Sequence, residues 1–440
     1  MSHREPVVRA GVARRAITPP VGVDLTGYVG RPGPSARVHD ELYATAVMLD
    51  DGTTRIGIVS LDIVGIGSGQ DAALRKGICE AADIDPANLL IACSHTHSGP
   101  ATMVLRGMGE RDENYLKWAH SQIVTAASKA GENLRDASLS FAQTQSDLGI
   151  NRRNWVIDQG IGASETSGRI TDPQLSVLVA RTSAGDSIAL FNYACHGTVM
   201  NFDNVEVSSD WIGAARDILE ESPSIKTAVF LQGCCGNINP RFGRTFEDVN
   251  RAGERVARPL LEALPDMEPV QNPTFKVAWK SVELPFLPLP SIEALEQEIS
   301  FLNNEIQEAR SAGGPAVQLR AREALLLWAQ DACKVQDSGS PMHVTVPLQA
   351  ISMGNVTILA IPGEVFCEIG LAIKKMSKSD IMVVGYANGN IGYIPTAEAY
   401  REGGYEVEHA FKRYGLKMIG PKSEEIILGA ARSLLAEVGR

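Results

Sequence analysis

The sequence lacks any apolar run near the roughly 18 residues that a membrane-spanning helix needs. Its first residues, Met1-Ser2-His3-Arg4-Glu5-Pro6, carry no apolar segment of the kind that directs secretion. Both absences lead to the expectation of a cytoplasmic protein with no stable membrane insertion. The CxxC spacing of a structural zinc site is also missing. Seven cysteines is an odd number, and Cys93, Cys195, Cys234 and Cys235 follow apolar runs, so buried free thiols are expected rather than a disulfide framework. Basic residues are outnumbered 41 to 52, for a net charge of −11, which argues against broad binding of nucleic acid or anionic membranes. There is no internal repeat and no low-complexity tract.

What is present is an ordinary globular composition, 44% apolar and 21% charged. Short β-rich runs alternate with longer helical patterns. Strands are expected at Tyr43–Leu49, Arg55–Leu61, Asn88–Cys93, Leu139–Thr144, Ser187–Cys195, Thr227–Leu231, Thr274–Leu284, Val356–Ile361 and Ile381–Tyr386. Helices are expected at Gln70–Ala82, Glu113–Lys129, Ile212–Glu220, Phe246–Leu264, Val365–Met376 and Glu424–Glu437. The alternation implies an α/β fold with a mixed, largely buried β-sheet core flanked by helices. One stretch departs from it. Ile292, Leu295, Ile299, Leu302 and Ile306 repeat at helical spacing, Ser311–Pro315 breaks the pattern, and a second helix follows with Leu319, Leu325, Leu326 and Trp328. This reads as a helical hairpin, 285–337, inserted into a core made of 1–284 and 338–440. Its apolar stripe is expected to pack on its own core; covering an active site or a subunit interface is the alternative, and the latter would make a homo-oligomer.

Histidine is scarce, eight in all, and three stand where chemistry is expected. The apolar run Leu89–Cys93 ends in Ser94-His95-Thr96-His97-Ser98-Gly99-Pro100, and on an extended chain residues i and i+2 share a face. A second apolar run, Ile188–Cys195, ends at His196. Two strands ending in His at the same sheet edge would bring imidazoles together, and the carboxyl ends of strands are where α/β sheets bind ligands. A third run, Val356–Ile361, leads to Pro362-Gly363-Glu364, completing a His, His, Glu set that suits Zn²⁺. A fourth, Ile381–Tyr386, runs into a loop whose Gly389 and Gly392 permit tight turns before Tyr393. A barrel-type metallo-amidohydrolase is the rival reading of the HxH pair. It fits less well, because two strand candidates precede the pair and no later His and Asp strand ends match.

Other residues take plainer readings. Ser208-Ser209-Asp210 is expected to cap a helix. Asp62 could reach the site, and His39 with Asp40 could support it or form a turn. His120 and His343 have no partner pattern, His409 could line the pocket, and Asn388 and Asn390 could orient the loop carrying Tyr393.

Taken together, the segments resemble the neutral ceramidase family. The matching pieces are Ala10-Gly11-Val12, Thr18-Pro19-Pro20, Gly27-Tyr28, His39–Ala44, Ser94–Pro100, Gly149–Arg152, Asn192–His196, Gly236–Pro240, Pro362-Gly363-Glu364, and Gly392-Tyr393 through Tyr400 to Tyr405-Glu406, in family order. The resemblance implies a zinc-dependent hydrolase that cleaves the amide of an N-acyl small molecule by attack of a zinc-activated water. It implies metal ligands His95, His196, Glu364 and Tyr393, with His97, Arg152 and Tyr405 as catalytic groups. Family ceramidases carry Ser where this chain has Asn239. Asn cannot be a nucleophile, so Asn239 is expected to contact substrate, and the substrate to be more polar than ceramide. Family ceramidases are also longer, with a C-terminal immunoglobulin-like domain, and are usually secreted. Two alternatives stand beside this reading: an esterase or lactam hydrolase using the same site, and a non-catalytic metal- or ligand-binding protein on the same fold.

Overall fold

The computed structural model describes residues 8–153, 169–336 and 341–439. The leader reading at Met1–Pro6 and the hairpin's expected end at residue 337 lie outside the described residues. The main sheet is built from Val8–Ala16 (β1), Tyr43–Asp50 (β2), Arg55–Leu61 (β3), Leu89–Cys93 (β4), Arg135–Gln145 (β5), Gln174–Thr182 (β6), Ser187–Tyr193 (β7) and Thr227–Gln232 (β8). Their order is β8-β7-β6-β5-β1-β2-β3-β4, with the short segment Glu268–Pro269 beside β5. Neighbours are antiparallel except at the two ends, where β7 and β8 are parallel and β3 and β4 are parallel.

The sheet curls until its ends face one another. Ser60 Oγ, on β3, donates to the Phe230 carbonyl of β8 at 2.7 Å. The concave face is filled by a second sheet: Phe275–Pro285 (β9), His343–Met353 (β10), Val356–Ala360 (β11) and Asp380–Val384 (β12), in that order. Val47, Ile58, Leu90, Leu178, Leu190 and Val229 of the first sheet share one buried core with Ile351, Val356, Ile358 and Met382 of the second. Such strands are apolar on both faces because both faces are covered.

Helices cover the outside. Ser68–Ala82 (α1) and Glu113–Glu132 (α2) pack on the half-sheet β1–β4, while Asp210–Glu221 (α3) and Phe246–Ala263 (α4) pack on β6–β8. Ile292–Ser311 (α5) and Ala316–Gln336 (α6) form an antiparallel pair. Cys367–Met376 (α7) and the last helix cover the second sheet. Between them lie three short helices, Ala397–Glu402 (α8), Tyr405–Glu408 (α9) and Phe411–Tyr414 (α10), before Ser423–Val438 (α11). Leu295, Leu302 and Ile306 of α5 are buried as the periodicity predicts, whereas Ile292 at the helix start is exposed. The pair also reaches inward: Trp328 Nε1 donates to the Leu416 carbonyl at 3.0 Å, and Ala324 lies against Gly107.

Three long strands were not foreseen. β1 reads VRAGVARRA, with arginines that look like loop residues, yet Arg14 spans to Glu220 of α3 with Nη1 2.9 Å from Oε2. β6 starts right after the polar stretch before Gln174. β10 contains Pro347, which ordinarily argues against an inner strand. Pairing of β10 with β11 begins only at Gln349, so the missing N–H of Pro347 costs no ladder bond on that side. Cys93, Cys195, Cys234 and Cys235 are buried free thiols.

Candidate metal centre and active site

His95 and His97 follow β4, at one end of the strand order, and His196 follows β7, close to the other. They are not on neighbouring strands; the curl of the sheet brings them together. Nor does strand alternation align His95 with His97. The chain leaves the strand before them, and His95 adopts a left-handed backbone with φ of 61°. Such conformations are uncommon for a non-glycine residue and gather at functional sites. Gly197 lets the two loops touch: a Cβ there would sit 3.0 Å from the Thr96 Cα. His97 N donates to the Gly197 carbonyl at 3.1 Å.

Each imidazole is fixed from behind. His95 Nδ1 lies 2.5 Å from the Val64 carbonyl and His196 Nδ1 lies 3.0 Å from the Ile238 carbonyl. Both carbonyls can only accept, so Nδ1 carries the proton and Nε2 presents its lone pair. Those two Nε2 atoms each lie 3.4 Å from Oε2 of Glu364, which is fully buried. His97 Nε2 is 3.1 Å from His95 Nε2, and the ligand atoms of the three histidines fall within 4.8 Å of one another. His196 Nε2 and His97 Nδ1 are buried with no hydrogen-bond partner among the described residues. Burial pushes the His196 imidazole down to about 4 and His97 well below its ordinary value, so both are neutral.

Lone pairs and a carboxylate aimed at one point repel unless a cation lies among them. Two ligands at about 2.0–2.1 Å from a tetrahedral zinc stand roughly 3.3 Å apart, close to the spacing found between Glu364 and each of its two histidines. The residues therefore fit a metal ion. Glu364 pairs with Tyr393 across a two-residue parallel bridge, so both side chains leave on one side.

A cavity of about 600 Å³ opens above this floor, a volume typical of small-molecule sites. His97, Arg152, Asn239, Tyr393 and Tyr405 all line it. Arg152 is the hub of the wall: Nε to Glu406 Oε1 at 2.9 Å, Nη2 to Tyr393 Oη at 2.9 Å, and Nη1 to Asn239 Oδ1 at 3.2 Å. Burial raises the Tyr393 hydroxyl well above its ordinary pKa, despite the neighbouring Arg152. Tyr405 stands edge-on to Tyr393, ring centroids 6.0 Å apart. Glu406 is pinned by Arg152 and by Arg153 at 2.7 Å.

Several participants were not singled out from sequence. The Tyr414 hydroxyl bonds Oε1 of Glu364. Tyr386 Oη lies 3.4 Å from Glu364 Oε2 and 3.2 Å from Cys235 Sγ. Tyr28 stands edge-on to His97 at 5.0 Å. Gly27, with φ of 94°, leaves room for the His97 ring, since a Cβ there would come within 2.5 Å of it. Arg31 donates to the His97 and Asn204 carbonyls. Tyr28 and Glu406 fall in segments that carried the family resemblance; nothing around Tyr414 signals its part.

The plainer readings resolve individually. Asp62 pairs with Arg216 at 2.8 Å and accepts from Tyr43 N, which makes it part of the sheet's packing. Ser209 makes no cap bond to its own helix; its hydroxyl donates to Asp40 at 2.5 Å, while Asp210 accepts the backbone N–H groups of Val199, Met200 and Trp211. His39 bonds Asp40 and stacks on Phe246. His120 lines a separate cavity between α1 and α2, and His343 lies 3.4 Å from Glu283. His409 is absent from the cavity lining. Asn390 Oδ1 accepts Gly392 N at 2.8 Å, and Asn388 bonds Gln349, Arg75 and Ile91, so both brace the loop before Tyr393.

This is an α/β protein whose paired sheets end in a donor set fit for a metal ion. It belongs to the neutral/alkaline non-lysosomal ceramidase family, whose N-terminal model matches residues 9–253. A neutral ceramidase of Drosophila melanogaster is 25% identical over 231 residues, 48% of this chain and 32% of that protein. A neutral ceramidase of Mycobacterium tuberculosis is 37% identical over 68 residues, 14% of this chain and 11% of that one. The chain thus matches about a third of the fly relative's length. The crystal structure of neutral ceramidase from Pseudomonas aeruginosa superposes with a TM-score of 0.74 at 19% identity, covering 99% of this chain and 75% of that one. That likeness establishes the fold.

Proposed function

We propose that this chain is a zinc-dependent hydrolase that cleaves the amide bond of an N-acyl small molecule. The observation that carries the reading is the convergence of the His95 and His196 Nε2 atoms on the buried Glu364 carboxylate, beneath a cavity of about 600 Å³. His95, His196, Glu364 and Tyr393 would hold the ion. When bound, zinc lowers the pKa of water to about 7 and polarises a carbonyl.

The chain's own residues do the rest. His97 lines the cavity beside the metal site and moves a proton to the leaving nitrogen. Arg152, held by Glu406 and Tyr393, keeps N–H groups ready for the oxygen that gains charge, and the Tyr405 hydroxyl is a second donor. In the net reaction the C–N bond breaks, a C–O bond to water forms, and a water proton ends on the amine. Asn239 contacts substrate beside Arg152. The named relatives are neutral ceramidases, so ceramide belongs in the assay beside shorter, more polar N-acyl amines.

The test is metal content and turnover of the purified protein on such a panel, for wild type and His97→Ala. Stoichiometric zinc in both, with turnover in wild type only, is expected. Turnover that survives complete chelation, or a zinc-replete wild type inert on every amide and ester tested, would overturn it.

A further inference from the structure

The cavity's walls differ in character. On one side are Leu105 and Met108, which pack with Met103 and Tyr414 in a small apolar cluster. On another is the segment Pro240–Arg244, which adds Arg241 and Arg244 to the Arg152 already in the lining. Among the described residues no Asp or Glu lines this cavity, although the chain as a whole carries eleven more acidic than basic side chains. Arg152 is committed to Glu406. Arg241 donates Nε to the Asp147 carbonyl at 3.0 Å, and its charge also acts on the Asp147 carboxylate, which is itself paired with Arg255. Arg244 has no ion pair at all among the described residues.

A second observation concerns the backbone. Arg244 is held at φ of 112°, a region L side chains rarely adopt, and its N–H is anchored to the Val199 carbonyl at 2.8 Å. Gly243, which could take that conformation without strain, is the residue just before it. Strain retained at a cavity wall by a charged residue is the kind of outlier that marks ligand contact. Arginine is also the side chain best matched to a carboxylate, through its planar fork of donors.

We propose that Arg241 and Arg244 recognise an anionic group on the amine half of the substrate, so that the enzyme acts on N-acyl amines bearing a carboxylate, with the acyl chain against Leu105 and Met108. The inference rests on the hydrolase reading above and names its substrate class. Asn239, next to Arg152 and one residue before Pro240, sits between the scissile amide and the two arginines. A neutral amine would leave the half-buried Arg241 and the exposed Arg244 to solvent, without the charge-assisted hydrogen bonds that a carboxylate accepts.

The experiment compares N-octanoylglycine with N-octanoylethanolamine, equal in acyl chain and unequal in charge, on the zinc-loaded enzyme. Variants are Arg244→Glu, with Arg244→Lys as the conservative control, and binding of each compound is followed by calorimetry alongside kcat/KM. Wild type should favour the glycine conjugate by at least about tenfold in kcat/KM. In Arg244→Glu that ratio should fall by at least about tenfold, mostly through KM, with partial recovery in Arg244→Lys. A wild type that prefers the ethanolamide, or a ratio untouched by Arg244→Glu, would overturn the inference while leaving the hydrolase reading intact. If neither compound turns over, calorimetry still decides. Glycine-conjugate binding that weakens in Arg244→Glu upholds anion recognition and leaves the hydrolase reading to the wider amide and ester panel, whereas equal or absent binding of both compounds sinks anion recognition.

Discussion

The floor and the wall of the cavity are built on opposite plans. On the floor, two histidines are each tied to a backbone carbonyl, Val64 for His95 and Ile238 for His196. Along the wall, side chains hold one another: Arg152 meets Glu406, Tyr393 and Asn239 from three separate segments, and Tyr414 reaches Glu364 from a four-residue helix. A backbone-tied group tolerates changes around it, because the carbonyl stays when neighbours are mutated. A group held by side chains depends on each of its partners. Damage to the floor should therefore be local and absolute, and damage to the wall graded and shared.

The largest expected effect is on the floor. His196→Ala should abolish tight zinc binding and turnover, by about three orders of magnitude or more, because the remaining imidazole and carboxylate form an incomplete set. Elemental analysis of the purified variant showing normal zinc would place the metal elsewhere and erase the contrast. On the wall, Arg152→Ala should keep zinc yet lower kcat about 10²- to 10³-fold, the scale of removing one oxyanion donor. If zinc were lost as well, floor and wall would be a single unit.

A pH series sharpens the same contrast. Burial would raise Glu406, but Arg152 and Arg153 bring it below 4.5. Its folded pKa is depressed, so its contribution to stability is present above about 4.5 and is lost as pH falls through the lower folded value. Acid unfolding followed by circular dichroism should therefore be less steep in Arg152→Ala than in wild type, since one of the two cations holding Glu406 is gone. Equal slopes would mean that Arg153 alone sets that value. The smallest effect is expected for Asn239→Ala, which removes one 3.2 Å contact. Stability should change by about 1 kcal/mol or less, with zinc retained, while the ranking of substrates shifts. An unchanged ranking would take Asn239 out of substrate choice.

The same contrast explains what could be read in the sequence. The floor was legible because its residues sit at the ends of apolar runs, and a run followed by His or Glu is a local pattern. The helical pair was equally legible, since Leu295, Leu302 and Ile306 keep strict helical spacing. Two floor details were not legible. The strands bearing His95 and His196 are far apart in the strand order, and His95 leaves the extended conformation. Both follow from the curl of the sheet, which no stretch of residues encodes alone. The wall was legible only where a family pattern supplied it, as for Arg152, Tyr393 and Tyr405. Tyr414 and Tyr386 gave no signal, because their role depends on a carboxylate that the chain brings to them through tertiary folding. Strand β1 was missed for a related reason: Arg9 and Arg14 are satisfied by distant partners, Asp50 and Glu220.

The curled sheet also bears on the order of events during folding. His95 and His196 are separated by about a hundred residues and Glu364 by well over a hundred more, so their meeting waits on closures that are among the slowest steps of chain organisation. The two sheet ends must meet, and the second sheet must enter the hollow, before the three donors share a point. Ion capture should then be the last step of refolding and a clock for it. Zinc uptake timed against the return of helical signal would lag behind it, and a metal-sensitive dye in the refolding mixture would record the moment the sheet closes.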